Sequence, residues 1–251
     1  MTQSPEYPDL TWMPPASWTN ADRTSVQLVV IHDTEGSEGP TSAEDGAAYD
    51  QRRTDGTSTH YFHDSNSTVQ CVRTEDQAHA ARAQGNRRGI QHELCGRAGQ
   101  GAAGWADAVS QGTLRQAAKQ AARDCKKWGI PVRKLTAAQV AAGVKGICGH
   151  VDITNAFPQD RGTHTDPGPS FPWGQFLAMV QADMQEDLPM DQKTFNQLMD
   201  GWAATPAGEA YRDGILATKV GNGPVTVGIA LQNTELQTRG LAAKLGPLPP
   251  K

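Results

Sequence analysis

Three short segments carry side chains that could ligate a metal ion: VVIHDTEG with His32, GICGHVD with His150, and GTHTDPGPSFPW with His164 and Asp166. A catalytic zinc site takes three protein ligands from histidine and carboxylate and leaves a fourth position to water. These imidazoles and one carboxylate suffice to fill such a site, and the metal would then activate water and polarise a carbonyl. His32 closes an apolar run, and the others sit in Gly- and Pro-framed loops, which would hold ligands at a rim open to substrate. Cys148, two residues before His150, invites a second metal reading, but burial of a small thiol is favoured there.

The elements that must position these groups are legible from their periods. SVQLVVIHD is β-branched and almost continuously apolar, which predicts a central strand buried on both faces with His32 at its end. Residues 41–53 read as a short helix opened by Ser/Thr and acidic residues. THYFHD and TVQCV, either side of SNS, read as a hairpin, and GIQHELCG as a further strand. From Thr113 to Trp128, Leu114, Ala117, Ala118, Ala121, Ala122 and Cys125 follow helical spacing, with a basic face that reads as solvated. Gly129 and Pro131 end that helix. A short helix over 136–142 leads to KGICGH, a brief strand or tight turn. Residues 154–170 have no regular pattern, and Trp173 to Met184 reads as a closing helix. A loop as long as 154–170 inside a domain usually has a job. The expected fold is α/β: a mixed central β-sheet flanked by helices, plus a small, mainly helical C-terminal appendage. The expected boundaries are an extended, proline-rich arm over 1–24, a catalytic domain over 25–186, and the appendage over 187–251.

Composition narrows the partners. Lys and Arg number 23 against 27 Asp and Glu, a formal charge of −4, so nothing favours nucleic acid. The charge resides before the tail, which carries equal numbers of acids and bases. No run reaches the roughly 20 apolar residues of a membrane span. The opening MTQSPEYPDLTWMPP has neither a basic nor an apolar signal region, so no export signal is expected. The four cysteines form no C-x-x-C pair and are expected as free thiols.

In order along the chain, VVIHDTEG, STHYFHDSNSTVQCV, QAHAAR, NRRGIQHELCG, GICGHVDIT and HTDPGPSFPW resemble the type 2 N-acetylmuramoyl-L-alanine amidases, which include phage and bacterial wall amidases and, more distantly, peptidoglycan recognition proteins. The resemblance covers roughly residues 25–180. It implies one zinc ion held by His32, His150 and Asp166. It places the family's catalytic glutamate, seven positions after Asn86, at Glu93, as the base that takes a proton from the attacking water and returns it to the departing amine. His164 stands where relatives often have a lysine that stabilises the oxyanion; alternatively His164 binds zinc and Asp166 orients it. Tyr61 matches an active-site tyrosine of some relatives, and His79 and Asn86 are implied at the substrate groove.

The activity so implied is zinc-dependent hydrolysis of the amide between N-acetylmuramoyl residues and L-alanine in peptidoglycan. With no export signal, the expected setting is a phage endolysin held in the host bacterial cytoplasm until released to the wall; a bacterial cytoplasmic enzyme of wall recycling is the alternative. The rivals are a muropeptide-binding module that does not cut, and a zinc peptidase acting in the stem peptide. Residues 187–251 are read as assisting wall attachment or self-association, or as a helical pair packed on the catalytic domain.

Overall fold

The computed structural model describes residues 2–160 and 162–186. The apolar run is the centre of the molecule: β3 (Leu28–Asp33) is buried along its whole length and lies between two parallel neighbours, β6 (Gly89–Leu94) and β7 (Gly146–Gly149). β4 (Tyr61–His63) runs parallel to β6 and antiparallel to β5 (Thr68–Gln70), which makes the expected hairpin. The N-terminal segment, expected as an extended arm, instead folds back on itself through a turn closed by the Ser4 N–H to Leu10 carbonyl bond. Its β1 (Thr2–Gln3) and β2 (Thr11–Trp12) complete one edge of a seven-stranded mixed sheet of order β1-β2-β5-β4-β6-β3-β7.

Helices cover both faces, because strand alternation sends apolar side chains both ways. Val29, Ile31, Ile90 and Ile147 pack with Leu114, Ala118, Ala121 and Cys125 of a long helix and with Phe176 and Val180 of the last one. On the opposite face Leu28, Val30 and Cys148 meet Leu135, Val140 and Ile153, while Phe62 and Val69 meet Ala43 and Ala47. The helices are α1 (Ser42–Asp50), α2 (Arg82–Arg88), α3 (Ala102–Trp105), α4 (Ala108–Trp128), α5 (Ala137–Ala141), α6 (His150–Ala156) and α7 (Trp173–Glu186).

Helix α4 begins five residues before the apolar repeat does, because Asp107 caps it by accepting the Ser110 N–H. It ends as expected, with Gly129 left-handed at φ 60°. Short α2 and α3 carry too few apolar residues to show a period. The residues after His150, expected as loop from 154, continue α6 to Ala156 and a 3-10 turn at Pro158–Asp160. The four cysteines are free and buried. The expected appendage, 187–251, lies outside the described residues. Among the described residues no helix is long and apolar enough to cross a membrane.

Candidate metal centre and catalytic groove

Parallel pairing sets the first two groups side by side. His32 is in register with Glu93 on the adjacent strand, so both side chains leave the same face of the sheet. His32 Nδ1 lies 4.0 Å from Glu93 Oε1. His150 arrives from the next strand as the first residue of α6, directly after Gly149. A Cβ at Gly149 would stand 2.7 Å from Pro167 Cδ, so glycine there lets the Asp166 loop close over the helix start. Val151 N–H then bonds the Asp166 carbonyl at 3.0 Å. Downstream, Phe171 packs edge-on against Trp105, Trp173 and Phe176, which anchors the far end of that loop in the core.

The result is convergence on one carboxylate oxygen. Asp166 Oδ2 is 3.1 Å from His32 Nδ1 and 3.4 Å from His150 Nδ1. The three donor atoms lie within 4.8 Å of one another, and all three residues are buried. Tetrahedral bonds of roughly 2.0–2.1 Å place neighbouring donors about 3.4 Å apart, so these spacings fit one small divalent ion. His164 is outside this triangle: its side chain is 42% exposed, it stacks on His150 with centroids 3.9 Å apart, and its Nδ1 is 3.7 Å from Asp166 Oδ1.

Electrostatics follow from burial and proximity. Burial disfavours the His32 imidazolium, but the carboxylates of Glu93 and Asp166 and the Gln91 hydrogen bond outweigh it and raise its pKa to about 9. A metal ion bound there at neutral pH would displace a proton from His32. Burial pushes Glu93 up to about 8 against the opposing pull of His32, with Asp166, Asp33 and Asp50 adding to the rise. A carboxyl so placed can exchange a proton near neutral pH. Burial lowers His150 to about 4 and lowers His164 as well. Burial works against ionisation of Asp166, yet its bonds to His150 and His32 hold it well below the usual carboxylate range. Beside Glu93, a groove of about 330 Å³ opens between α1 and the sheet, lined among others by Asp33, Ser42, Tyr49, Asp50 and Phe62.

The expectation for Tyr61 is corrected. Tyr61 pairs with His92, one residue out of step with the Phe62–Glu93 pair, so it points to the other face of the sheet. There it is fully buried and donates its hydroxyl to Asp124 Oδ1 at 3.2 Å, under α4. His63 and His92 are buried strand histidines, and His60 is buried just ahead of β4. His79 and Asn86 are not in the cluster either. His79 is held by the Gly56 carbonyl and Thr19 Oγ1, both at 2.9 Å, and Asn86 Oδ1 accepts the Ala81 N–H ahead of α2.

Gln91 is the site residue that sequence reasoning passed over. Its Oε1 accepts from His32 Nε2 at 2.9 Å, and its own amide donates to the Gly85 carbonyl at 3.1 Å. This fixes the tautomer that leaves Nδ1 free to ligate. Its place two residues before Glu93, on the same strand face, was the available signal. Gln91→Leu is expected to weaken metal binding about 10- to 100-fold, measured by chelator competition, while Gln91→Glu, which keeps the acceptor, retains it. Equal affinity in the leucine variant would refute this role.

Against known proteins, the family model described as N-acetylmuramoyl-L-alanine amidase matches residues 22–169, more than half of the chain. The fold is similar to that of the Staphylococcus aureus hydrolase AmiA, solved in complex with its ligand, at 17% identity, TM-score 0.56, and coverage of 70% of this chain and 83% of that one. It is also similar to an AmpD derivative at 18% identity, TM-score 0.50, and coverage of 72% and 99%. No curated protein matches the sequence.

Proposed function

The chain belongs to the N-acetylmuramoyl-L-alanine amidase family, enzymes that act on peptidoglycan, and from that premise we propose that it hydrolyses the amide between the muramoyl lactyl group and L-alanine with one zinc ion held by His32, His150 and Asp166. The observation that carries this is the meeting of two imidazole nitrogens on one Asp166 oxygen at 3.1 and 3.4 Å, with Glu93 alongside. Zinc, when bound, supplies a Lewis acid for the carbonyl and lowers the pKa of water to about 7.

The chain's own residues do the rest. Glu93 takes a proton as the water oxygen bonds to the carbonyl carbon. It then delivers that proton to the alanine nitrogen as the C–N bond breaks, and the second water proton passes from the new carboxyl to the amine, leaving a lactyl carboxylate and an ammonium. Glu93 Oε2 has no hydrogen-bond partner among the described residues and is free for this exchange. His164, exposed at the rim and stacked on His150, would donate a hydrogen bond to the oxyanion, a role its exposure and nearness to Asp166 support. His79 supports the groove through its N–H bond to Ser58 Oγ, a groove-lining residue, and the substrate role implied for Asn86 is left to the Ala81 N–H contact that orders the start of α2.

Wall lysis, as by an endolysin, is the setting proposed, with recycling of soluble muropeptides as the alternative that the same residues would serve. Digestion of purified sacculi, with zinc and then with a chelator, tests both readings. Zinc-dependent release of stem peptides beginning at L-alanine is expected, and Asp166→Ala should abolish both release and stoichiometric zinc. Cleavage inside the stem peptide would assign a peptidase, and no metal-dependent release would assign a binding module. Cleavage of soluble muropeptides but not sacculi would overturn the lytic role.

A further inference from the structure

We propose that a cavity built by the N-terminal segment, bounded by Trp12, Ser17, Trp18, Asn20, Arg73 and Asp76, is a saccharide subsite that holds an N-acetylhexosamine unit of the glycan strand. The inference rests on the amidase reading for the identity of the polymer, and on the cavity's own chemistry for the class of ligand. The cavity measures about 430 Å³, within the range of roughly 300–1,000 Å³ typical of small-molecule sites. None of its residues belongs to the His32, Glu93, His150, Asp166 cluster.

Its charges cancel. Arg73 donates through Nε and Nη2 to Asp76 Oδ2 at 3.2 and 3.0 Å, and Asp76 Oδ1 takes the Ala21 N–H at 3.2 Å. Arg73 Nη2 also lies 3.9 Å from Asp22 Oδ1, so the guanidinium is already shared between two carboxylates and is not left for an anionic ligand. What the cavity offers instead is two indoles, Trp18 being 42% exposed, with the Ser17 hydroxyl and the Asn20 amide. A flat ring beside neutral hydrogen-bonding groups suits a pyranose. The sugar's C–H face packs on the indole, while its hydroxyls and acetamido group find donors and acceptors at the edge.

The walls are set before any ligand arrives. Thr19 exchanges two backbone hydrogen bonds with Gln77, each 2.9 Å, and the Met13 N–H bonds the Gln70 carbonyl at 3.0 Å. Pro14 and Pro15 restrict the backbone between them. Such preorganisation lowers the entropy cost of binding. The cavity also adjoins the catalytic groove. The Ala16 N–H bonds the carbonyl of Asp50, a residue that lines the groove beside Glu93, and Thr19 Oγ1 bonds His79, whose N–H in turn bonds Ser58 of the same groove. Trp12 to Asn20 precede the residues that match the family model, 22–169, whereas Arg73 and Asp76 lie within them. On a polymer, a second contact raises the effective concentration of the scissile bond at the first.

Calorimetric titration of the full chain, held metal-free with chelator, with the β-1,4-linked tetramer of N-acetylglucosamine tests the proposal. Saturable binding is expected, with the indole N–H resonances of Trp12 and Trp18 shifting in NMR spectra. Trp18→Ala should weaken binding about tenfold, and Trp18→Phe, which keeps a stacking face, should recover part of it. The alanine variant should hydrolyse a single-sugar muropeptide normally and lose rate only on long glycan. No saturable heat, undiminished binding in Trp18→Ala, or a stem peptide rather than the tetramer shifting the two indoles would each overturn it. The two readings fail separately: saccharide binding without amide cleavage sinks the amidase assignment alone, and cleavage without saccharide binding sinks the subsite alone.

Discussion

Glu93→Gln is expected to lower amide hydrolysis by about 10²- to 10⁴-fold while bound zinc stays stoichiometric. The glutamine has nearly the volume and shape of the side chain it replaces, and it leaves His32, His150 and Asp166 untouched, so the ligand set persists. What it lacks is the ability to accept a proton from water and hand it on. A loss of that size is roughly 3 to 5 kcal/mol on the barrier. Glu93 suits the role by position: it is in register with His32, its Oε1 is 4.0 Å from the imidazole, and its side chain is only 17% exposed. Steady-state rates on sacculi, with metal content measured on the same preparation, decide the matter. Full activity in the variant would remove Glu93 from the mechanism, and loss of zinc would make it a structural support of the site instead.

Asp124→Ala is expected to destabilise the fold by about 3–5 kcal/mol without touching the catalytic face. Asp124 is fully buried on α4, where its Oδ1 accepts from the hydroxyls of Tyr7 and Tyr61 and from the Gln120 amide at 3.1 to 3.2 Å. His92 Nε2 lies 3.1 Å from its other oxygen. Removing the carboxylate leaves the fully buried Tyr61 hydroxyl and His92 Nε2 without this partner, at a desolvation cost for each, while the Gln120 amide keeps the Tyr61 oxygen at 3.1 Å. Tyr7, the other hydroxyl donor, ties the N-terminal segment to α4, so the loss should also loosen that edge. A loss of this size lowers Tm by about 10 °C for a domain of this length. Asp124→Asn, which keeps one acceptor oxygen, should fall between. Thermal unfolding of the three proteins checks the order. An alanine variant with unchanged Tm would show that the buried donors find other partners.

The helical and strand periods were legible because burial of a face imposes them. Leu114 to Cys125 announced α4, and the unbroken apolar run to Ile31 announced a strand covered on both sides. His32, His150 and Asp166 stood out because histidine and carboxylate in Gly- and Pro-framed segments have few other uses, whereas Glu93 was reached only through the family resemblance. The N-terminal strands were not legible, since a two-residue strand has no period and its pairing is decided by the edge it meets. Asp124 was equally hidden: inside a run of basic residues it reads as surface, and only packing shows that α4 turns it inward.

The sequence by itself determined which residue types are available for chemistry, in what order, and on elements of what kind. That information is local, because alternation, helical spacing and turn chemistry act over a few residues. Strand register is not local. It depends on which strand lies beside which, and a shift of one residue sends every side chain to the other face. The tertiary structure decided that Glu93 joins His32 while Tyr61, next to Phe62 in the chain, faces Asp124 instead. It also brought Asp166 to both imidazoles across more than a hundred residues from His32, and made Gln91 the residue that holds His32 in place.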